Sequence, residues 1–402
     1  MNSAWHNTRL GKIFKSRRTR GQAGLPTLSV TMNGGLVARD SLDRKTDTNL
    51  LPEEHLFVKK NDIAYNMMRM WQGALGLAHH DAIVSPAYIV LQSSKEIDPL
   101  FAEYLFKTPR FIHLFWAYSY GLTNDRLRLY FKDFGLIPCD IPPLAEQKRI
   151  AEILSTWDRA IETTEKLIAN SEAQKRALMQ QLLTGKKRLP GFKGQWRKMR
   201  LDQAAHIIVS NVDKKTDAAE QPVRLCNYMD VYRADQIEND MQFMRATATP
   251  AQINKFGLKV GDVLITKDSE TPEDIAIPSY VASTAADLVC GYHLAIIRPK
   301  KALDGRFLKF YFDHPHTRYF FSSRANGATR FGLTVDAIES APILLPSIEE
   351  QARISEVIGV AENKIATLRP AVDALRAEKS ALMQQLLTGK RRVKINGEAQ
   401  AA

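Results

Sequence analysis

The chain has few cysteines and lacks any long apolar stretch. Its 402 residues include three cysteines, Cys139, Cys226 and Cys290, which are far apart and form no CxxC pair. This spacing indicates neither a disulfide framework nor a zinc site, so we expect reduced thiols in a cytoplasmic protein. No apolar run approaches the roughly 18 residues of a membrane span, and the N-terminal segment lacks the apolar core of a signal peptide. The sequence therefore predicts neither membrane insertion nor secretion.

Glycine and proline are also scarce, with 21 and 18 residues, whereas 45% of the chain is hydrophobic. This composition excludes fibrous and disordered classes and predicts a globular protein of two or more domains. The net charge of +12 favours a polyanionic partner, either nucleic acid or an acidic membrane.

Catalytic motifs are absent as well. A methyltransferase that flips adenine needs an Asn/Asp-Pro-Pro-aromatic tetrapeptide, but Pro142-Pro143 stands between isoleucine and leucine. A phosphate-binding loop ends in Gly-Lys-Ser/Thr, but Gly185-Lys186 and Gly389-Lys390 are followed by lysine and arginine. The histidine pairs at 79–80 and at 314 and 316 lack matching ligands for a metal. We therefore expect a chain that is not an enzyme and binds no cofactor or metal itself.

An internal repeat organises the chain. The ten residues ALMQQLLTGK at Ala177–Lys186 recur unchanged at Ala381–Lys390, 204 residues later. The match extends backwards at the same offset without an insertion, as a continuous helix requires. The extension consists of Pro142, Glu146, Gln147, Arg149, Ile150, Glu152 and Ile161, which recur as Pro346, Glu350, Gln351, Arg353, Ile354, Glu356 and Ile365.

Both copies have the heptad spacing of a coiled coil. The second copy alternates steps of four and three over Ala361, Ile365, Leu368, Val372, Leu375, Lys379, Leu382 and Leu386. The first copy has a more polar seam in the same register, namely Trp157, Ile161, Thr164, Ile168, Ser171, Lys175, Leu178 and Leu182. These seams predict two long helices that pair with each other.

The ends of the helices are also indicated. Ser347 and Glu350 form a capping-box pattern, and Gly185 and Gly389 stand where a glycine commonly ends a helix. The predicted helices are Glu146–Leu183 and Glu350–Leu387.

Two features modify this helical pattern. Lys175 and Lys379 share a seam position, where a lysine either sets the alignment of the helices or extends from the seam edge into solvent. Pro370 lies inside the second helix, which it should kink or deprive of one hydrogen bond near Ala366.

The segments that precede the helices are weakly similar to each other. Trp5, Arg9 and Leu10 match Trp196, Arg200 and Leu201; residues 61–63 match 261–263; and Asp98, Phe101, Phe106 and Pro109 match Asp304, Phe307, Phe312 and Pro315. Strands are predicted at Ile89–Leu91, Asp262–Thr266 and Leu294–Ile297, and helices at Phe101–Phe106 and Phe307–Phe312. Each segment is therefore predicted to be an α+β domain of mostly antiparallel strands.

Two such domains have an approximate two-fold axis if their long helices pair in antiparallel fashion. Duplex DNA has the same symmetry, and dimeric DNA-binding proteins use this match to bind two half-sites. Because the two domains have diverged far more than the helices, the pattern favours recognition of two different half-sites by one chain.

Three sets of residues are characteristic of one family. They are the segments 144–150 (LAEQKRI) and 348–354 (IEEQARI), both LLTGK endings, and the loop 327–333 (GATRFGL). In combination they resemble type I restriction-modification specificity subunits, and the resemblance covers nearly the whole chain.

The resemblance implies a domain order. Target-recognition domains are expected at 1–140 and 191–344, spacer helices within 141–190 and 345–392, and a tail at 393–402, with the helices paired as an antiparallel coiled coil and the whole pseudo-two-fold symmetric. The first half departs from the family pattern, because residues 121–127 (GLTNDRL) stand where a Gly-x-Thr-Arg loop is expected.

The resemblance also implies partners. The chain is expected to bind a bipartite site in double-stranded DNA and two modification subunits, which are methyltransferases that modify adenine N6 with S-adenosylmethionine. Restriction subunits, which are endonuclease-translocases using ATP and Mg²⁺, are expected in the larger assembly. Neither predicted domain has a large excess of basic residues, so partner subunits are expected to supply part of the grip on phosphate.

The candidate DNA contacts are basic or hydroxyl residues in polar segments. They are Arg17, Arg18, Arg20, Arg126 and Arg128 in the first domain and Lys214, Lys215, Lys267, Arg324, Thr329 and Arg330 in the second. Those in the loop before each helix are placed by the resemblance, and the others by charge alone. A solvated basic loop is the alternative for Arg17, Arg18 and Arg20. The aromatic run Tyr311, Phe312, Tyr319, Phe320 and Phe321 is assigned to the core in preference to a base-stacking surface.

Two other functions fit part of the pattern. A scaffold could use the helices to join protein partners, and its heads would then bind protein or small ligands without salt-sensitive DNA binding. A subunit with its own methyltransferase activity conflicts with the missing motifs and would transfer methyl groups alone.

Overall fold

The computed structural model of the chain describes residues 5–42, 50–123 and 126–394. The described residues form two compact units, one drawn from 1–165 and 370–402 and the other of residues 166–369. Each unit therefore combines one globular head with a segment of each long helix. We call residues 5–141 the first head and residues 197–345 the second head.

The first head is an α+β domain. Its elements are β1 (His6–Arg9), α1 (Leu10–Ile13), β2 (Phe14–Arg17), β3 (Thr27–Thr31), β4 (Gly35–Ala38), β5 (Leu56–Val58), β6 (Ile63–Asn66), β7 (Leu75–Leu77), β8 (Ala82–Val84), β9 (Tyr88–Ser93), α2 (Pro99–Phe106), α3 (Pro109–Ala117), α4 (Phe131–Phe134) and β10 (Pro138–Ile141). The strands form sheets ordered β2-β9-β6-β7 and β4-β3-β8-β5 and the pair β1-β10. Phe106 and Phe134 pack at ring distances of 5.5 and 6.0 Å from Phe14 in the core.

The second head has the same class of architecture. After α5 (Leu144–Leu182) come β11 (Arg197–Arg200), α6 (Leu201–Ala204), β12 (Ala205–Val209), β13 (Gln221–Cys226), α7 (Tyr228–Arg233), β14 (Gln236–Ile237), β15 (Met244–Ala248), α8 (Pro250–Phe256), β16 (Val263–Thr266), β17 (Asp268–Ser269), β18 (Pro278–Val281), β19 (Leu288–Cys290), β20 (Leu294–Pro299), α9 (Gly305–Asp313), α10 (Pro315–Ser322), β21 (Phe331–Gly332), α11 (Val335–Glu339), β22 (Pro342–Leu345) and then α12 (Ile348–Leu386). Its sheets are ordered β12-β20-β16-β18-β14 and β15-β13-β19, with the pairs β11-β22 and β17-β21.

The predicted strands and helices of the heads are confirmed, and most strand pairs are antiparallel. The parallel pairs are β3-β8, β13-β19 and β14-β18. Helices α2 and α9 begin alike, because the carboxylates of Asp98 and Asp304 each accept a hydrogen bond from the backbone N–H three residues later. Their shared aspartate was one signal of the internal similarity.

The long helices begin two residues earlier and end one residue earlier than predicted. Gly185 and Gly389 have φ of +69° and +71° beyond the last helical turn, the conformation that favours glycine there. Helix α12 continues through Pro370 to Leu386. No helix in the described ranges combines the length and the apolar character that crossing a bilayer requires.

A glutamine fastens the start of each long helix to the preceding head. The side chain of Gln147 accepts a hydrogen bond from the backbone of Asp98 and donates to the carbonyl oxygens of Glu96 and Pro142. Gln351 makes the corresponding three bonds in the second unit. Both glutamines are fully buried, so these bonds satisfy polar groups that burial would otherwise penalise.

The glutamate beside each glutamine binds an arginine that follows the other long helix. Arg188 contacts both carboxylate oxygens of Glu350 at 2.6 Å, and the indole N–H of Trp196 donates to the same carboxylate at 3.2 Å. Of the two hydrogen bonds that a capping box requires, only one is therefore formed. Ser347 Oγ accepts from the Glu350 backbone at 3.3 Å, but the Glu350 carboxylate is held by Arg188 and makes no reciprocal cap.

The first unit contains the counterpart of this clamp. Arg392 donates to the two carboxylate oxygens of Glu146 at 2.7 and 2.6 Å. Trp5 packs against Gly389, as Trp196 packs against Gly185, but the Trp5 indole nitrogen has no hydrogen-bond partner among the described residues. The repeat thus extends beyond LLTGK to include these arginines.

Within each unit the two helix segments run antiparallel. Ion pairs join Asp158 to Lys379 and Glu165 to Arg376 in the first unit, and Glu172 to Arg369 and Lys175 to Glu362 in the second. Residue numbers rise along one helix as they fall along the other. Both seam lysines bind a carboxylate of the opposite helix, which agrees with a role in alignment and not with extension into solvent.

Candidate nucleic-acid interface

The loop before α12 is a short hairpin in the second head. Asn326 and Gly332 exchange backbone hydrogen bonds of 3.0 and 2.9 Å, and β21 pairs with β17. Residues 327–330 between them, including Thr329 and Arg330, are exposed, and Phe331 is half-buried. The hairpin therefore projects a hydroxyl and a guanidinium group away from a fixed base.

Glycine at position 327 is required by this hairpin. Its φ is +145°, and a Cβ atom there would lie 1.7 Å from the carbonyl oxygen of Arg330. Any side chain would push Arg330 away, because a carbonyl cannot approach a carbon atom this closely. Gly327 thereby sets the position of the Arg330 backbone.

The first head contains the same hairpin with a longer tip. Tyr120 and Arg128 exchange hydrogen bonds of 3.0 and 2.8 Å, and a Cβ atom on Gly121 would lie 2.4 Å from the carbonyl oxygen of Arg126. Five residue steps separate Gly121 from Arg126, against three from Gly327 to Arg330, so the first loop is longer by two residues. Residues 124 and 125 of this loop lie outside the described residues.

The hairpins are also anchored alike. Leu129 donates its backbone N–H to Met67, and Leu333 donates to Lys267, each at 2.9 Å. This correspondence makes Arg126 the structural counterpart of Arg330. The offset of 204 residues that relates the long helices also relates Arg126 to Arg330, whereas an alignment of Gly121 with Gly327 without a gap places Arg330 against residue 124. The two alignments differ by the two extra residues of the first loop, and the hairpin geometry agrees with the first.

Arg17 is engaged in an ion pair within the first head. It lies in β2, and its guanidinium donates to the buried carboxylate of Asp62 at 2.6 Å. Arg298, which lies in β20, binds Asp262 in the second head. The Arg17 side chain is 17% exposed, and its contact with DNA stays a prediction.

Lys267 is also engaged within its head. Its ammonium group lies 2.8 Å from Asp268, its side chain is 19% exposed, and His293 contacts the same carboxylate at 2.7 Å. The backbone carbonyl of Lys267 accepts the hydrogen bond that anchors the hairpin. Its contact with DNA stays a prediction.

The remaining candidates lie on the surface. Arg18, Arg20 and Arg128 are exposed in the first head, and Arg20 forms a backbone bridge to Leu56. Gly21 beside them is buried, and a Cβ atom there would lie 2.3 Å from the Pro52 carbonyl oxygen. These side chains remain candidates for DNA contact.

In the second head, Lys214 and Lys215 are exposed, and Lys215 has a loose ion pair with Asp213 at 3.7 Å. Arg324 is exposed but lies over the ring of Phe320 at 3.7 Å from its centroid. Stacking on an aromatic ring holds the Arg324 guanidinium close to the hairpin while leaving its edge accessible.

The aromatic run belongs mainly to the core, as predicted. Phe312 and Phe321 are fully buried and pack edge to face at 5.3 Å, and Tyr311 donates its hydroxyl to Pro342. Tyr319 differs, because 71% of its side chain is exposed.

The described residues contain no cluster of three or more metal-ligating side chains. The three cysteines are buried as free thiols. Burial raises the pKa of Cys139 to about 12 and also raises the pKa values of Cys226 and Cys290. None of the three thiols is therefore poised for nucleophilic attack near neutral pH.

Comparison with known proteins identifies one family. The model of the type I restriction modification DNA specificity domain matches residues 3–172 and 193–371. The MjaVIII specificity subunit of a type I restriction enzyme from Methanocaldococcus jannaschii is 22% identical over 86% of this chain and 82% of its own length. The putative MjaX specificity subunit from the same organism is 26% identical over 63% of this chain, and that match spans 59% of the relative's length.

Solved structures share the fold. The S subunit of a type I restriction-modification system from M. genitalium has a TM-score of 0.58 and 15% identity, with 96% of each chain covered. A chain from a study of type I R-M complex assembly and conformational transition has a TM-score of 0.52 and 17% identity over 96% of this chain and 97% of its own length. The chain therefore belongs to the type I restriction-modification DNA specificity family and is a DNA-recognition subunit, not a catalytic one.

Proposed function

We propose that this chain binds a bipartite, asymmetric site in double-stranded DNA, with each head reading one half-site. The observation that carries the proposal is the equivalent placement of Arg126 and Arg330 on exposed hairpins of the two heads. Arginine binds guanine edges and phosphates, so each hairpin has the chemistry for a DNA contact. The different loop lengths and neighbouring residues suit two different base sequences.

The catalytic steps are assigned to partner subunits. Two modification subunits would methylate adenine N6 with S-adenosylmethionine, and restriction subunits using ATP and Mg²⁺ would cleave unmodified DNA. The family supports this division of labour, and the chain carries neither a methyltransferase tetrapeptide nor a phosphate-binding loop. We place the complex in the cytoplasm, where its DNA substrate lies.

The test is the DNA motif methylated by complexes of the chain with its modification partner. Arg330→Ala should relax or weaken one half-site and Arg126→Ala the other, with a loss of about 1–3 kcal/mol for each bidentate base contact. Single-molecule methylation sequencing identifies which half-site changes. The chain alone should transfer no methyl groups.

Arg353→Ala is a matched control, because it removes the same charge from an exposed position on α12. Binding of the wild-type complex to DNA should weaken steeply with salt. An unchanged methylated motif in both hairpin variants would show that Arg126 and Arg330 do not contact the bases of the site. Salt-insensitive or absent DNA binding would instead favour a protein scaffold.

A further inference from the structure

The ion pairs between the long helices fall into two classes. The offset of 204 residues that relates the two copies converts Asp158 into Glu362 and Lys175 into Lys379. The pairs Asp158–Lys379 and Lys175–Glu362 are therefore the same contact formed twice, with the sign of each charge retained in both copies. Such a contact specifies an antiparallel alignment but does not distinguish the first helix from the second.

The other two pairs reverse sign between the copies. The same offset converts Glu165 into Arg369 and Glu172 into Arg376. The first helix is acidic at both positions and the second is basic at both. The observed contacts are Glu165–Arg376 at 2.6 Å in the first unit and Glu172–Arg369 at 3.0 Å in the second. Each joins opposite charges because a first helix meets a second helix.

We propose that this reversal is a selectivity device that directs α5 to α12 and rejects the pairing of like helices from a second copy of the chain. If two α5 helices paired in the same register, Glu165 of one copy would face Glu172 of the other, twice. Two α12 helices would place Arg369 against Arg376, also twice. Like charges at such contacts destabilise a coiled coil and set partner choice.

The clamps and the ion pair within α12 do not distinguish like helices from unlike ones. The clamps Glu146–Arg392 and Glu350–Arg188 keep their signs in both copies, so like helices would form them equally well. Asp373 also contacts Arg376, at 3.2 Å, but it belongs to the same helix and accompanies Arg376 in either pairing.

The repeat makes such a device necessary. The ends of the two helices share the unchanged ten-residue segment, and their starts share Glu, Gln, Arg and Ile at equivalent positions, so pairing with the wrong helix is opposed only where the copies differ. The side chains of Glu165, Glu172, Arg369 and Arg376 are 34–66% exposed. Salt should therefore weaken the discrimination strongly.

The decisive variant is Glu165→Arg combined with Arg376→Glu. This exchange keeps both opposite-charge contacts within the chain, yet it places opposite charges at every contact of two like helices. The control reverses all four positions, with Glu165→Arg, Glu172→Arg, Arg369→Glu and Arg376→Glu. That variant keeps the pairing within the chain and restores the repulsion between like helices. All three chains have the same net charge.

The measurement is association between two full-length copies with different tags, which are mixed, unfolded and refolded together before purification on one tag. At about 50 mM salt we expect the double exchange to raise the co-purified fraction roughly tenfold to a hundredfold above wild type and the fourfold control. Near 1 M salt the difference should disappear. Domain-swapped dimers, in which α5 of one copy pairs with α12 of the other, keep opposite charges at every contact in all three chains. They therefore contribute equally to each co-purified fraction.

Equal co-purification of the wild type, the double exchange and the fourfold control at low salt, including none in any of them, would overturn the proposal. Circular dichroism and thermal unfolding verify that each variant folds. If the first double exchange does not fold, Glu172→Arg with Arg369→Glu is its symmetric equivalent and carries the same expectation.

Discussion

The two heads fasten to the long helices through the same carboxylate position but with different chemistry. In the first unit, the hydroxyl of Tyr104 donates to Asp158, which also binds Lys379. In the second unit, the equivalent Glu362 binds Lys175 and the ammonium group of Lys309, which is 1% exposed. One head thus uses a neutral phenol and the other a buried charge.

The reason lies in a reversal of charge on α2 and α9. Their common N-terminal aspartates align Glu103 of α2 and Lys107, the residue after it, with Lys309 and Asp313 of α9. Each pair forms an ion pair four residues apart, but the order of acid and base is reversed. In the second head this order lets α9 present Lys309 to Glu362 of α12.

Buried charge in the second head is sustained by several carboxylates. Burial opposes the charged form of Lys309, but Asp313, Asp235 and Glu362 outweigh this penalty and raise the pKa of the ammonium group. Asp313 is itself desolvated, and its pKa is raised. The helices are thus a common framework, whereas each head has its own attachment to them. The attachment of the second head buries an ammonium group and depends on its carboxylate partners.

The largest expected effect breaks the attachment of the second head. Lys309→Met removes the cation and leaves three carboxylates facing a buried methyl group, so we expect the second unit to lose about 3 kcal/mol of unfolding free energy. Larger losses are not expected, because Asp235 is 61% exposed and Glu362 keeps Lys175. Urea unfolding followed by hydrogen exchange in each unit measures the change.

Tyr104→Phe is the matched change in the first head, since it removes one hydrogen-bonding hydroxyl without introducing an unpaired charge. We expect a loss of about 1 kcal/mol, confined to the first unit. Equal losses for Lys309→Met and Tyr104→Phe would contradict the difference drawn between a charged and a neutral attachment.

The next effect concerns the arginine clamps, which differ in the second donor to the carboxylate. Glu350 accepts from the Trp196 indole N–H at 3.2 Å, and Glu146 accepts from the Val393 backbone N–H at 3.4 Å. Arg392→Ala leaves the Glu146 carboxylate, which is 2% exposed, without its guanidinium partner, and should cost about 2–3 kcal/mol. Arg188→Ala should cost about 1–2 kcal/mol, because Glu350 retains the indole N–H of Trp196.

Adding Trp196→Phe to Arg188→Ala sharpens this test. The double variant loses the indole donor as well, so its unfolding free energy should approach that of Arg392→Ala in the other unit. Equal stability of the two single variants would show that the indole hydrogen bond does not compensate for the arginine.

The smallest effect concerns the hairpin glycines. Gly327→Ala introduces both a strained φ and a clash with the Arg330 carbonyl oxygen, and should weaken DNA binding by about 1 kcal/mol, roughly fivefold. Gly121→Ala meets Arg126 at a longer distance in a loop with two more residues, so its effect should be smaller. Affinity for DNA altered in one half-site at a time separates the two, and a larger effect of Gly121→Ala would reverse the comparison.

The repeat predicted much of the fold because helix periodicity and capping depend on residues close in sequence. Both long helices, the strands at 89–91, 262–266 and 294–297, and the helices at 101–106 and 307–312 were predictable in this way. The position of Arg330 in a loop was expected from the family resemblance of the Gly-Ala-Thr-Arg segment, and the residue is exposed.

Contacts between distant residues were not predictable from one sequence. Arg17 stands in a basic cluster next to Arg18, and only the pairing of β2 with β9 brings it to Asp62. The offset of 204 residues relates Arg126 to Arg330 in sequence, but the close approach of the Arg126 carbonyl oxygen to Gly121 is a property of the folded hairpin.

The sequence by itself thus determined that the chain has two copies of a head and a heptad helix, because local spacing specifies local structure. Tertiary structure alone decided the partner of each charge. Glu350 looks like a helix-capping residue in sequence, yet it holds Arg188, which follows the opposite helix, and Glu146 holds Arg392 in the same way. The physical reason is that an ion pair depends on a distance of a few ångströms, which residues more than 150 positions apart acquire only when the chain folds.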